Sequence, residues 1–365
     1  MFFSSNYLRI ITFLLLFQLA ADLLFSQSNQ SQTVSGFVFD EQTGEAIPEV
    51  NVYLSQTTSG AYTKEDGRFE FSTELTGIHN IVFSYVGYNT EVREVNFYED
   101  SAPYFEIGLS PESRELDPLE VTASNNDWKA NLEIFKRNFI GATGAALNTE
   151  IENPWVISFE KNEDGNLIAQ TESPLTIKNY TIGYELYVDL FEFIWPLNGE
   201  PGHYLFYAGY REMEPLSKKE QESWERNRRN IYLGSFEHFL KCLHEDTLGQ
   251  NNFYIVLPNT NNLVTIHEID SQTAEKLGLP SKIAGSESEE IKAYRIRFPV
   301  DVVYGERRWF KPSRARSRIV PLGIGGIFLV TNRARLANPL SFRLDGAWSK
   351  DRLANLLPVN YSPEE

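Results

Sequence analysis

Cysteine is nearly absent from this 365-residue chain, and Cys242 stands alone. No intramolecular disulfide is possible, so an oxidising compartment is neither demanded nor excluded. Cys242 lies beside Phe239 and Leu243 on an apparent helix face and reads as a small buried hydrophobe rather than a reactive thiol. Histidine is also scarce. His79, His203, His238, His244 and His267 are the full set, and none has Glu three positions on. His244-Glu245 and His267-Glu268 lack the second histidine of a His-Glu-x-x-His pair. Zinc sites of these signatures are excluded, and the five histidines read as surface or hydrogen-bonded core residues. No metal or cofactor is expected.

Positive charge is short as well. Thirty-three Lys and Arg face 50 Asp and Glu, a formal net charge of −17. Arg9 and Asp22 cancel within residues 1–27, so removing that stretch changes nothing. Nucleic acid is disfavoured, because phosphate binding needs a basic surface. The Gly-x-Ser-x-Gly elbow of serine hydrolases is missing; Gly285-Ser286-Glu287-Ser288-Glu289 reads as a charged loop. Gly323-Ile324-Gly325-Gly326 is not followed by Gly-Lys-Ser/Thr, so it reads as a tight turn or bulge rather than a phosphate cradle. Nothing selects a glycosidase-type carboxylate pair from so many acids.

Long apolar runs are confined to the N-terminus. Arg9 precedes Ile10–Phe17 and Leu19–Ala21, with a small-residue exit near Ser26-Gln27. The run is shorter than the roughly 20 residues that span a bilayer. A signal peptide over residues 1–27 is expected, with a buried helix or anchor as the other reading. No transmembrane helix is expected in the mature chain. No cysteine follows the run, which excludes a lipid-modified N-terminal cysteine. The signal predicts export, to the periplasm or to association with the outer membrane.

What the chain does hold is apolar and aromatic material, 42% and 13% of residues, enough for packed cores. Its length suggests about two domains. Residues 28–32 form a polar spacer. Residues 33–109 then carry short alternating apolar segments between turn residues: Val34–Phe39, Val50–Leu54, Phe69–Phe71, Ile81–Val86, Val92–Phe97 and Phe105–Leu109. Asp40–Gly44 is turn chemistry and Glu65-Asp66-Gly67-Arg68 is a hairpin signal. This pattern predicts a β-sandwich. Residues 110–124 are polar and punctuated by proline, as in a linker.

Residues 125–365 read as an α+β domain. Trp128, Leu132, Phe135 and Phe139 mark a helix capped by Asn126 or Asp127 and stopped by Gly141. Asp164-Gly165 centres a hairpin within Val156–Gln170. Ile182, Tyr184, Leu186, Val188 and Leu190 alternate on one strand face. Ser217-Lys218-Lys219-Glu220 is a capping box opening a charged helix. Phe236, Phe239, Leu240 and Leu243 form a third helical stripe. Phe253–Leu257, Tyr294–Phe298, Arg318–Leu322 and Ile327–Val330 are strand-like.

The N-terminal blocks Gly36–Asp40, Thr43–Glu45 with Ile47–Val52, Thr63–Phe69 and Phe83–Tyr88 resemble the carboxypeptidase-regulatory-like domain of Bacteroidetes envelope proteins. The resemblance implies a transthyretin-like seven-stranded sandwich and no chemistry, since the peptidase of enzymes bearing the name is a separate domain. Gly36, Asp40, Gly44, Pro48, Asp66, Gly67, Phe69, Gly87 and Tyr88 match its structural pattern. Leu116–Ala123 resembles the segment that follows such domains in TonB-linked receptors, but about 240 further residues are too few for a plug and a barrel of some 22 strands. The resemblance to shorter envelope proteins of this type assigns no chemistry to residues 125–365.

One local asymmetry stands out. Arg307, Arg308, Lys311, Arg314, Arg316 and Arg318 crowd together around Trp309 and Phe310. Such a patch fits an envelope protein partner or an anionic glycan or glycolipid. It also fits internal pairing with acids such as Glu287–Glu290. Tyr204, Phe206, Tyr207 and Tyr210 permit a sugar platform, although sheet packing is the commoner use of such residues. The sequence therefore predicts a non-enzymatic exported envelope protein for binding or scaffolding. The alternatives are a carbohydrate-processing or other hydrolase, or an accessory of a TonB-linked uptake system.

Overall fold

The computed structural model describes residues 31–97, 102–112, 125–142, 144–281, 291–305, 316–322, 324–331, 334–336 and 341–363. The expected signal peptide and nearly all of the expected linker lie outside them.

Strand β1 (Gln32–Asp40) alternates buried and half-buried side chains along its whole length, as the two-residue period of a strand requires. It lies between antiparallel β4 (Arg68–Thr73) and parallel β7 (Tyr104–Leu109). A second sheet runs β3 (Gly60–Tyr62), β2 (Asn51–Leu54), β5 (Ile78–Ser84) and β6 (Glu91–Asn96). The two sheets close on Val34, Val38, Val52, Leu54, Phe69, Ile81 and Phe83. This is the sandwich that the sequence predicts. Asp66-Gly67 does not join a hairpin of one sheet, however. It carries the chain from β3 in one sheet to β4 in the other.

Family-pattern residues hold this sandwich together. Asp40 Oδ1 accepts the backbone N–H groups of Gln42 and Thr43 at 2.8 Å each, and its Oδ2 accepts the Tyr88 hydroxyl at 2.7 Å. The Tyr88 hydrogen bond, helped by the turn N–H groups, holds the Asp40 carboxyl below its ordinary range. Gly36 sits where β4 and β7 press closest, and a Cβ there would lie 2.2 Å from the Phe105 carbonyl and 2.7 Å from the Phe69 ring. We expect Gly36→Ala to cost about 2–3 kcal/mol through forced strand separation, read as a lower urea midpoint at unchanged slope.

After helix α1 (Asn125–Phe135), which already includes both predicted cap residues, the chain builds a six-stranded sheet. Its long strand β12 (Tyr184–Trp195) pairs with β13 (His203–Glu212) along one edge. On its other edge it pairs first with β11 (Leu175–Asn179) and then with β10 (Leu167–Thr171). Strands β8 (Thr149–Ile151) and β9 (Ile157–Lys161) complete the sheet. The predicted hairpin around Asp164-Gly165 is β9–β10. Leu132, Phe135 and Phe139 pack on one face with Leu186, Val188 and Phe193. A bulge at Leu190–Glu192 breaks the predicted alternation.

Helices α2 (Lys218–Tyr232) and α3 (Phe236–His244) follow; Ser217 caps the first as predicted, and Ser235 caps the second. Two small sheets complete the fold. One holds β14 (Phe253–Val256), β17 (Val300–Tyr304), β18 (Arg316–Pro321) and β20 (Phe342–Gly346), and the other holds β15 (His267–Glu268), β16 (Ile291–Arg295) and β19 (Ile327–Thr331). They share a core with Phe239, Leu240 and Leu243 of α3. A short fourth helix, α4 (Ser271–Lys276), lies between β15 and β16. Residues 125–365 thus carry two hydrophobic cores. No described helix is long and apolar enough to cross a membrane.

Candidate functional site

The sandwich is not tethered loosely to the rest of the chain. The outer face of its second sheet is covered: Tyr53 is 3%, Val82 0% and Ser84 4% exposed. The cover is the β12–β13 ribbon, and Asp189 of β12 is its anchor. Its Oδ2 accepts the Tyr53 hydroxyl at 2.6 Å, and its Oδ1 accepts the hydroxyls of Ser84 and Thr90 at 2.7 Å each. Burial pushes the Asp189 carboxyl above its ordinary range, and the three hydroxyls offset part of that rise.

Around this anchor the fit is close. The Tyr53 ring lies against Gly209, where a Cβ would come within 2.8 Å of it. Gln56 N donates to the Ala208 carbonyl, and Tyr210 N donates to the Thr57 carbonyl at 2.9 Å, so the loop after β2 pairs with the outer edge of β13. The Arg211 guanidinium lies over both the Tyr62 and Tyr187 rings, at 4.7 and 5.1 Å.

Docking brings three distant segments to one cleft: the sandwich loop at Gln56–Thr58, helix α2, and the C-terminal tail. Val359 N donates to the Gln56 carbonyl at 2.8 Å, and Asn360 exchanges hydrogen bonds with Thr58. The tail divides the cleft into two cavities that share Pro358 and Tyr361. The first, about 530 Å³, is lined by Tyr232, Phe236, Tyr304 and Trp348 with Glu237 and Asp351. The second, about 730 Å³, is lined by Tyr184, Arg226, Arg228 and Arg229 with Glu212, Glu222 and Glu225. Both volumes lie in the range of small-molecule sites.

Helix α2 stands where it does because Trp224 and Arg228, one turn apart, grip the turn before β12. Trp224 Nε1 donates to the Tyr180 carbonyl at 2.8 Å. Arg228 Nε donates to the Ile182 carbonyl at 2.7 Å, and Nη1 meets Glu212 at 3.3 Å. Its guanidinium lies 3.9 Å from the Tyr184 ring centroid. Arg228 is thus a fixed wall of the cleft. Asp351 keeps an exposed edge, but enclosure of its carboxyl by the cavity wall, with the Glu237 charge adding to the effect, pushes its pKa up to about 6.

The residues singled out in the sequence fall elsewhere. Arg307, Arg308, Trp309, Lys311 and Arg314 lie outside the described residues. Arg316 and Arg318 are described, and both are engaged by Asp301, which is 1% exposed. Arg318 Nε meets Asp301 Oδ1 at 2.6 Å, and Arg316 Nη1 meets Oδ2 at 3.2 Å. Tyr204 and Phe206 pack against Phe139, and Tyr207 against Phe191. Tyr210 is buried. These residues serve the sheet, not a sugar platform. His238 is buried against Tyr232, Phe253 and Tyr304. No group of three or more His, Cys, Asp or Glu among the described residues could hold a metal. Gly325 and Gly326 form a tight turn before β19.

The class defined by this geometry is a β-sandwich fused face to face onto a larger α+β body. Residues 34–121 match the sequence model of the CarboxypepD_reg-like domain, confirming the expected resemblance. No curated protein matches the chain. Among solved structures, 3-chlorocatechol 1,2-dioxygenase from Rhodococcus opacus is similar at 12% identity and a TM-score of 0.20, over 24% of this chain and 62% of that one. A DUF3823 family protein from Bacteroides ovatus is similar at 13% identity and 0.19, over 50% and 82%. A Bacteroides uniformis protein provisionally described as carbohydrate binding is similar at 10% identity and 0.17, over 82% and 97%.

Proposed function

We propose that this chain is an exported cell-envelope protein that binds or scaffolds without catalysis, and that its recognition site is the junction cleft. The observation that carries this reading is the convergence of the sandwich loop, α2 and the C-terminal tail on one polar, aromatic-walled cleft. The CarboxypepD_reg-like domain supports a binding role. Its outer sheet is already covered by β12 and β13, which leaves the cleft as the larger concave surface at this junction.

The test is capture from solubilised envelope with three forms of the mature chain: intact, Tyr361→Ala with Arg226→Glu, and Arg307→Glu with Arg308→Glu. Loss of bound material with the cleft variant alone is expected. Identical capture by the first two forms, or loss confined to the third, would reject the cleft in favour of no site or the basic segment.

A hydrolase is the second reading, favoured by the Asp351 carboxyl titrating near 6 beside Glu237 in an aromatic cavity. Turnover of envelope glycans that disappears in Asp351→Asn, with folding intact, would establish it.

A further inference from the structure

We infer that the junction cleft takes an acidic oligosaccharide, its sugar rings lying along the aromatic cavity and its anionic group held at Arg226. This deepens the binding function proposed above and rests on it.

The shape calls for an elongated ligand, because two cavities meet end to end at Pro358 and Tyr361. The first cavity sets the half-buried rings of Tyr232 and Tyr361 beside polar groups of Gln56, Asn355 and Glu237. That combination suits a sugar ring, which presents C–H faces and a hydroxyl edge.

The second cavity supplies the charge. Most of its ionic groups are committed within the protein: Arg228 to Glu212, Glu222 to Lys218, and Glu225 to Gln221. Arg226 is exposed on α2, lines the cavity and makes no ion pair among the described residues. A guanidinium fork matches a planar carboxylate or a phosphate. Nucleic acid would meet a protein of net charge −17. An extended peptide would seek a sheet edge, and the outer edge of β13 is already bridged by Thr57 at Gly209.

The test is calorimetric titration of the mature chain with three probes: trigalacturonate, a neutral galactose trisaccharide, and mannose 6-phosphate. A charge-assisted contact at Arg226 predicts about tenfold tighter binding of trigalacturonate than of the neutral trisaccharide. Mannose 6-phosphate binding more tightly than trigalacturonate would assign the anion as phosphate instead of uronate. Arg226→Gln should erase the tenfold preference of the charged over the neutral trisaccharide. Tyr361→Ala should weaken both trisaccharides. Equal affinity for charged and neutral probes, or no effect of Arg226→Gln, would overturn the acidic class. Failure of every saccharide to bind, with envelope capture still dependent on Tyr361, would overturn the glycan class and leave the binding function standing.

Discussion

Asp189→Ala should lower the stability of the intact protein by about 3 kcal/mol, the larger part of it at the sandwich junction. Three hydroxyls lose their acceptor at once, and those of Tyr53 and Ser84 are buried. An orphaned buried donor costs about 1–3 kcal/mol. Release of a buried carboxylate offsets part of this. Asp189→Asn separates the two contributions, since an amide still accepts two hydrogen bonds and its NH₂ can donate to the Tyr53 oxygen. Its stability should stay within about 1 kcal/mol of the parent. The pH response has a definite sign. Asp189 titrates above its ordinary value in the folded chain. Between those two values the native state binds the extra proton, so this group's contribution to stability rises as pH falls through the window. Urea midpoints of parent and Asp189→Asn across that window read the contribution by difference. A parent that gains nothing relative to Asp189→Asn as pH falls would contradict a carboxylate whose burial outweighs its three hydroxyl hydrogen bonds.

Asp301→Ala should be comparably damaging, about 3 kcal/mol, by an opposite electrostatic route. Here the carboxylate is the buried partner of two arginines, and its loss leaves the mostly buried Arg316 and the partly exposed Arg318 without their counter-charge. Burial alone would raise the Asp301 pKa. The Arg318 hydrogen bond, the Asn259 N–H and the two guanidinium charges outweigh burial and hold it low. Its stabilisation is therefore present above the ordinary aspartate value and is lost as pH falls through the lowered one. The two carboxylates respond to acid in opposite directions, so a double variant should show a flatter pH profile than the Asp301 variant retains. Asp301→Asn, which keeps the shape but not the charge, should recover only part of the loss. Full recovery would mean that the pairing is structural and carries no electrostatic weight.

The sandwich was legible because its information is local. Turn residues such as Asp40 and Gly67, and alternating apolar runs such as Val34–Phe39, act within a few residues of themselves. Helices α2 and α3 announced themselves equally well, through the Ser217 capping box and the Phe236–Leu243 stripe, whereas the short α4 did not. The site was far less legible. Asp189 lies on the face of β12 opposite the apolar alternation, where Glu185 and Tyr187 suggest solvent; nothing local says that a second sheet covers it. Tyr53 carries the only hint, an aromatic residue at an outward position of a short strand. Arg228 looked like one charge among many on α2, although its spacing of four from Trp224 places both on one face. Strands β13, β17 and β20 escaped notice because charged or small residues interrupt each apolar run, and it is pairing with distant strands that makes each one extended.

The hydrogen bonds between Thr58 and Asn360 span 302 residues. A ribosome adding about 5–20 residues per second would emit the two partners roughly 15–60 s apart. During that interval the sandwich has its own core but neither its tail strap nor, until residue 212 emerges, a cover for Tyr53 and Val82. A nascent chain therefore passes through a stage with a sticky, half-finished sheet surface. Export that keeps the chain extended until its last residues are delivered would remove that stage altogether.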